Sequence, residues 1–375
     1  MKVKLNDVID RITGNVDRYN TELEYYVGGE HYECGRLAMY DKGLLDSEKG
    51  STLGFKFHFP FQATDVLFMA RNPHLKKAAM VMFDGICSDA SYILRTKDES
   101  ILQQRYIPLI IQNDNFWAFF EANKSGSVNY LMNWKEMKEY EFDLPDIKKQ
   151  EELVELVWGI EETIAAYERL LAKTDELVKS QFIEMFGDPV LNDKGWLTKP
   201  MKQVAPEHRA SIPEEESYWW LNLDMIESFT GTIIEKVIEQ KSNIGNSTAP
   251  FDNTMVMYSK LRPYLNKVTV PDAYGYATTE LVGLKPDGKV LNKFFLFNLL
   301  RGDQFVKYAV GLSAGGQMPR MPMKEFRQFE CILPPMELQE KFVEFYKQSD
   351  KSKFELRKAI ENLKQMQRTI IKENV

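Results

Sequence analysis

Apolar and polar positions change period along this chain, and the changes divide it into segments. Short β-rich runs, Asp65–Met69, Ala79–Phe83 and Tyr92–Leu94, are spaced by Gly, Pro and Asn, the pattern of short strands joined by turns. A later set, Met255–Tyr258, Val268–Val270 and Leu281–Leu284, reads the same way. Apolar positions three and four apart then predict helices over Leu291–Leu300 and Asp303–Val310. Two longer stretches follow another rule. From Leu153, the positions Val157, Ile160, Ile164, Tyr167, Leu171, Thr174, Val178, Gln181 and Met185 alternate steps of three and four, the a/d seam of a coiled coil. Pro145 opens that stretch and Gly187-Asp188-Pro189 closes it. The second stretch carries Phe342, Tyr346, Ser349, Lys353, Leu356, Ile360, Leu363, Gln367 and Ile370 on its seam, a weaker one because three positions are polar.

The two sets are copies. Phe61, Thr64, Val66, Pro73, Leu75 and Lys77 recur as Phe251, Thr254, Val256, Pro263, Leu265 and Lys267, at a constant offset of 190. After one lost residue the match resumes at 189, pairing Tyr106 with Phe295, Asp114 with Asp303 and Phe116 with Phe305. It ends with Leu144-Pro145 through Gln150-Glu151 repeated as Leu333-Pro334 through Gln339-Glu340. Such a period is too long for a solenoid, so the repeated unit is a whole domain followed by a long helix. The expected layout is an α/β (α+β) recognition-type domain over 1–143, a first coiled-coil helix over 144–189, a second domain over 190–332 and a second helix over 333–375. The two helices are expected to pair antiparallel and to act as a ruler between the two domains.

Charge refines this picture. The 375 residues carry 48 Lys and Arg against 55 Asp and Glu, a net charge of −7, which argues against a uniformly basic polyanion binder. Much of the acid lies in residues 144–195, so local basic clusters remain elsewhere. Three cysteines are too few for a disulfide framework. No apolar run is long enough to span a membrane, and charge near Met1 replaces the apolar core of a signal peptide. A cytoplasmic protein without membrane partners is expected.

In this layout the chain resembles the specificity subunits of type I restriction–modification systems. The likeness runs over essentially the whole length. It is carried by the repeated Leu-Pro-(x)4-Gln-Glu openings, by the helix end Leu177 to Pro189, and by the strand–loop pieces Val66–Lys77 and Val256–Lys267. The resemblance implies two target recognition domains, each reading half of a bipartite asymmetric site in double-stranded DNA. It further implies helices that dock two methyltransferase subunits, with restriction subunits joining the full complex. Adenine methylation and cleavage would then belong to those partners. S-adenosylmethionine, ATP and Mg would be bound there, leaving this chain non-catalytic and without cofactor.

Reading bases requires paired donors and acceptors on exposed loops, and phosphates require cations. Two loop regions in each half meet that need. The first holds Arg71, His74, Lys76 and Lys77, echoed by Lys260, Arg262, Tyr264 and Lys267 around a turn proline. The second holds Lys124 and Asn129, echoed by Gln317 and Arg320 beside glycines that permit close backbone approach. Tyr25-Tyr26 and Tyr218-Trp219-Trp220 are expected in strands, filling core. A competing reading is a protein-interaction adaptor with duplicated binding heads.

Catalytic signatures are weak. No phosphate-binding Gly-rich loop ends in Gly-Lys-Ser/Thr, and Asn72-Pro73-His74-Leu75 lacks the second proline and the aromatic of an adenine methyltransferase motif. Glu136-Met137-Lys138 and Glu239-Gln240-Lys241 have a nuclease-like spacing that is common by chance. Glu30 to Cys34 offers zinc-ligand types without a second pair, so no metal is assigned.

Overall fold

The computed structural model describes residues 1–45, 53–72, 75–123, 131–245, 247–313 and 316–375. Its contacts define two compact units: Met1–Arg169 with Leu356–Val375, and Leu170–Glu355. These cut through both long helices, Ile147–Phe186 and Met336–Asn374, rather than falling at 143, 189 and 332. The physical reason is burial. The core of unit 1 takes in Leu153, Val154, Val157, Trp158 and Ile371, and that of unit 2 takes in Val178, Phe182, Phe186, Phe342 and Tyr346. A helix face this apolar belongs to the core it seals.

Unit 1 contains a five-stranded sheet in the order Ile9–Ile12, Ser91–Thr96, Val66–Met69, Ala78–Val81, Ala38–Met39. A four-stranded sheet runs Gly43–Leu44, Tyr25–Val27, Gly85–Ser88, Phe57–Phe61, and the ribbon Lys2–Lys4 with Glu141–Asp143 closes the unit. The helices Ile107–Gln112 and Asp114–Asn123 cover the larger sheet, placing Phe116, Trp117 and Phe120 around Phe68.

Unit 2 repeats the design. Its four-stranded sheet runs Val237–Gln240, Ser217–Leu221, Gly275–Thr278, Thr248–Phe251, and its ribbon pairs Thr198–Pro200 with Glu330–Ile332. The other sheet keeps three strands, Val268–Thr269, Val256–Ser259 and Leu281–Leu284, with an isolated Glu207–Leu284 bridge where unit 1 has a full strand. The helices Lys293–Arg301 and Asp303–Leu312 match the two expected there. Both units are therefore mixed α/β bodies with long helices. The parallel pairs Tyr26–Ile86 and Trp220–Tyr276 extend the copy into N-terminal parts where residue matching had faded.

Local signals explain the helix ends. Gly187 adopts φ +74° after Phe186, and its N–H donates to Ile183 O at 2.8 Å, a turn that favours a residue without Cβ. The repeated opening motif has a shared purpose. Gln150 Nε2 donates to Ile101 O and Pro145 O, while its Oε1 accepts from Gln103 N–H. Gln339 does the same with Val290 O, Pro334 O and Asn292 N–H. Each glutamine is fully buried and clamps the helix start to the preceding loop.

Within each unit the two helices run antiparallel. In unit 1, Gln367 Nε2 donates to Glu161 Oε2 at 3.0 Å while Lys364 lies 3.4 Å from Glu168. In unit 2, Lys353 Nζ lies 2.8 Å from Asp175 and Phe342 packs on Phe182 and Phe186. Val157, Ile160, Ile164, Val178 and Ile360 are buried, and Tyr167, Leu171, Leu356, Leu363 and Ile370 are half-buried. The polar seam residues Ser349, Lys353 and Gln367 are buried as well. Beside Gln367, Glu161 is fully buried and accepts from Arg36 Nε at 2.8 Å. Burial opposes the Arg36 charge, but Glu161 and Glu168 outweigh it and raise its pKa.

Candidate nucleic-acid interface

The residues that flank the two turn prolines repeat one backbone conformation. In unit 2, Arg262 at φ +49° and Asn266 at φ +48° flank the single turn Pro263–Leu265. In unit 1, Asn72 at φ +52° and Lys76 at φ +45° occupy the corresponding places, while His74 lies outside the described residues. Left-handed backbone at non-glycine residues persists only where neighbours hold it. Here Asn266 Nδ2 donates to Arg301 O at 2.9 Å, and Arg262 N–H donates to Pro319 O at 2.7 Å.

The fold also joins the two loop regions of each unit. Arg71 bridges Leu131, and Leu261 bridges Arg320, both antiparallel. The flanking bonds repeat too: Met132 N–H donates to Ala70 O, and Met321 N–H to Lys260 O. Segments some 60 residues apart in sequence thereby become one surface in each unit. Lys124 and Asn129 lie outside the described residues.

The side chains divide by what holds them. Lys77 Nζ donates to Gly29 O at 2.6 Å and Lys267 Nζ to Leu223 O at 2.7 Å, so this repeated lysine ties the turn to a neighbouring loop. Lys76 lies 3.4 Å from Asp114. Arg71, Tyr264 and Gln317 are exposed, Lys260 and Arg262 half-buried, and Arg262 Nε is buried with no hydrogen-bond partner among the described residues. Arg320 is exposed and paired with Glu280, whose hydrogen bond and charge raise its pKa. Tyr218 and Trp219 are buried and Tyr25, Tyr26 and Trp220 half-buried in their strands.

Sequence reading missed a groove of about 450 Å³ beside this surface in unit 2. Lys260 lines it together with His208, Arg209, Thr279, Glu207 and Arg327. Arg327 Nε and Nη2 reach Glu207 at 2.7 and 3.1 Å. No local pattern signals this, because the partners are 120 residues apart.

No family model matches the chain. The Type I restriction enzyme EcoDI specificity subunit of Escherichia coli is 25% identical over 118 residues, which cover 32% of this chain. That match spans only 26% of the relative's length. The solved Type-I restriction-modification system S subunit from M. genitalium superposes with a TM-score of 0.54 at 11% identity, covering 100% of this chain and 95% of the other. The chain has the specificity-subunit fold. A chain from a solved type I R-M system, studied for its complex assembly and conformational transition, agrees with a TM-score of 0.51 at 17% identity, over 99% of this chain and 96% of the other. In this specificity-subunit fold, each unit carries the same junction, with Arg71 exposed at one and Arg320 at the other.

Proposed function

We propose that this chain is the DNA-reading subunit of a type I restriction–modification complex. Each unit would read one half of a bipartite asymmetric site, and the long helices would dock two methyltransferase subunits. Methylation, cleavage, S-adenosylmethionine, ATP and Mg belong in this reading to the partner methyltransferase and restriction subunits. The observation that carries it is one backbone junction, built twice at Arg71–Leu131 and at Leu261–Arg320, with different side chains. Two repeated junctions with unequal side chains suit an asymmetric site in two parts. The acidic balance of the chain assigns part of the affinity to those partners.

The test is co-expression with adenine methyltransferase subunits of such a system, followed by mapping of the modified adenines. A split motif is expected. Exchanging residues 190–332 for the corresponding region of another specificity subunit should change only one half. A contiguous motif, or a change in both halves, refutes the reading. Binding of the assembled complex to duplex should also fall steeply with salt, because phosphate neutralisation releases counterions.

A further inference from the structure

Arg320 sits where the two loop segments of unit 2 join, through its bridge to Leu261. Glu280 grips its guanidinium from one side: Nη2 and Nε lie 2.9 and 3.2 Å from Oε1, and Nε lies 3.3 Å from Oε2. This side-on contact engages Nε–H and one N–H of Nη2. A guanidinium carries five N–H groups in a rigid planar fork. Among the described residues the outward pair on Nη1 and Nη2 therefore remains, apart from a long 3.4 Å approach of Nη1 to Met318 O. That outward pair has the geometry that reads O6 and N7 of guanine. Holding the long side chain in place beforehand also reduces the rotamer entropy lost on contact.

Unit 1 supplies an internal comparison. Its backbone makes the same junction: Ala70 N–H donates to Ala90 O at 2.8 Å, as Lys260 N–H donates to Glu280 O at 3.1 Å. The places of Arg320 and Glu280 are filled there by Leu131 and Ala90. A junction built equally well from Leu and Ala does not need an ion pair for its fold. The Arg320–Glu280 pair is thus a difference between two otherwise repeated surfaces, at the point where sequence reading places DNA.

We propose that Arg320 reads a guanine in the half-site of unit 2 and that Glu280 is its positioning residue, an inference that rests on the DNA-reading function above. In unit 1 the place of Arg320 is taken by Leu131, and the exposed arginine of that junction is Arg71 on the facing segment, so the two half-sites differ in where the cation stands.

The test selects sites for the full chain, co-expressed with its methyltransferase subunits, from randomised double-stranded DNA at fixed salt. Wild type is compared with R320K, which keeps the charge and loses the fork, and with E280Q, which keeps the side-chain shape. R320K is expected to lose the preference for one guanine in one half of the motif, leaving all other positions intact. Its affinity for the wild-type site should fall roughly 5- to 150-fold. E280Q should blur that same position, to a smaller extent. Both variants should melt with the wild type, because unit 1 forms the junction without either residue. An unchanged motif in R320K, with all duplexes bound equally more weakly, would make Arg320 a phosphate contact and overturn this inference alone. A blurred position other than guanine overturns it too. If wild type enriches no motif, the DNA-reading function falls and takes this inference with it.

Discussion

Replacing the buried glutamine at the start of either long helix should destabilise its own unit. Gln339 satisfies two carbonyls and one N–H inside the protein, and Gln150 satisfies the corresponding three. At a net value of about 1 kcal/mol per hydrogen bond, Gln339→Ala and Gln150→Ala should each cost about 3 kcal/mol. The two costs should agree within about 1 kcal/mol, because the partners are equivalent. Gln339→Glu adds a test of sign. A carboxylate can accept from Asn292 N–H but meets two carbonyl oxygens it cannot bond, and burial also disfavours its charge. Its folded pKa must rise above the ordinary value of ~4.3. The folded form then binds more protons, so stability falls by about 1.4 kcal/mol per pH unit as pH climbs above ~4.3, until the folded pKa is reached. Gln339→Ala should show no such slope relative to wild type. Urea unfolding gives the free energies, and amide hydrogen exchange at Gln103 and Asn292 reports each clamp locally. Alanine variants that cost under about 1 kcal/mol, with both amides still protected, would show that the clamp contributes nothing.

Arg36→Ala should cost about 3–5 kcal/mol in urea unfolding, since it leaves the buried Glu161 carboxylate without its cation. Arg36→Met combined with Glu161→Leu should cost far less, and equal losses would contradict the explanation. Burial pushes the Cys87 and Cys331 thiols up to about 12, while Cys34 is exposed. One thiol should therefore react quickly with iodoacetamide at pH 8, and three in denaturant. The raised values mean the folded state keeps its thiol protons, so stability should fall with rising pH above ~8.5, by about 1.4 kcal/mol per unit per buried thiol. Lys260→Ala should lower the slope of log K against log salt by about 0.9 if Lys260 neutralises a phosphate, without altering the motif read; an unchanged slope would remove it from the interface.

Both long helices were legible because their signals are local. A seam repeats every few residues, and Gly187 marks its own stop. The duplication was legible from Phe61 onward, where spacing is kept, and faded before it, where loops of unequal length shift the register. The motif glutamines were visible as a pattern, but their hydrogen-bond partners were not. The candidate loops were found by composition, yet Lys77 and Lys267 turned out to be tied to backbone carbonyls of other loops.

Order along the chain determined the two seams and the turn prolines, because each depends on neighbours within a few residues, and it showed the duplication because spacing is kept at an offset of 189–190. Only the tertiary structure decided that Leu261 meets Arg320, that Glu280 and Glu207 hold arginines 40 and 120 residues away, and that Arg36 and Gln367 share the carboxylate of Glu161. Such pairings are fixed by how sheets and helices close around a core, and a charge in the sequence carries no mark of the partner that closure brings to it.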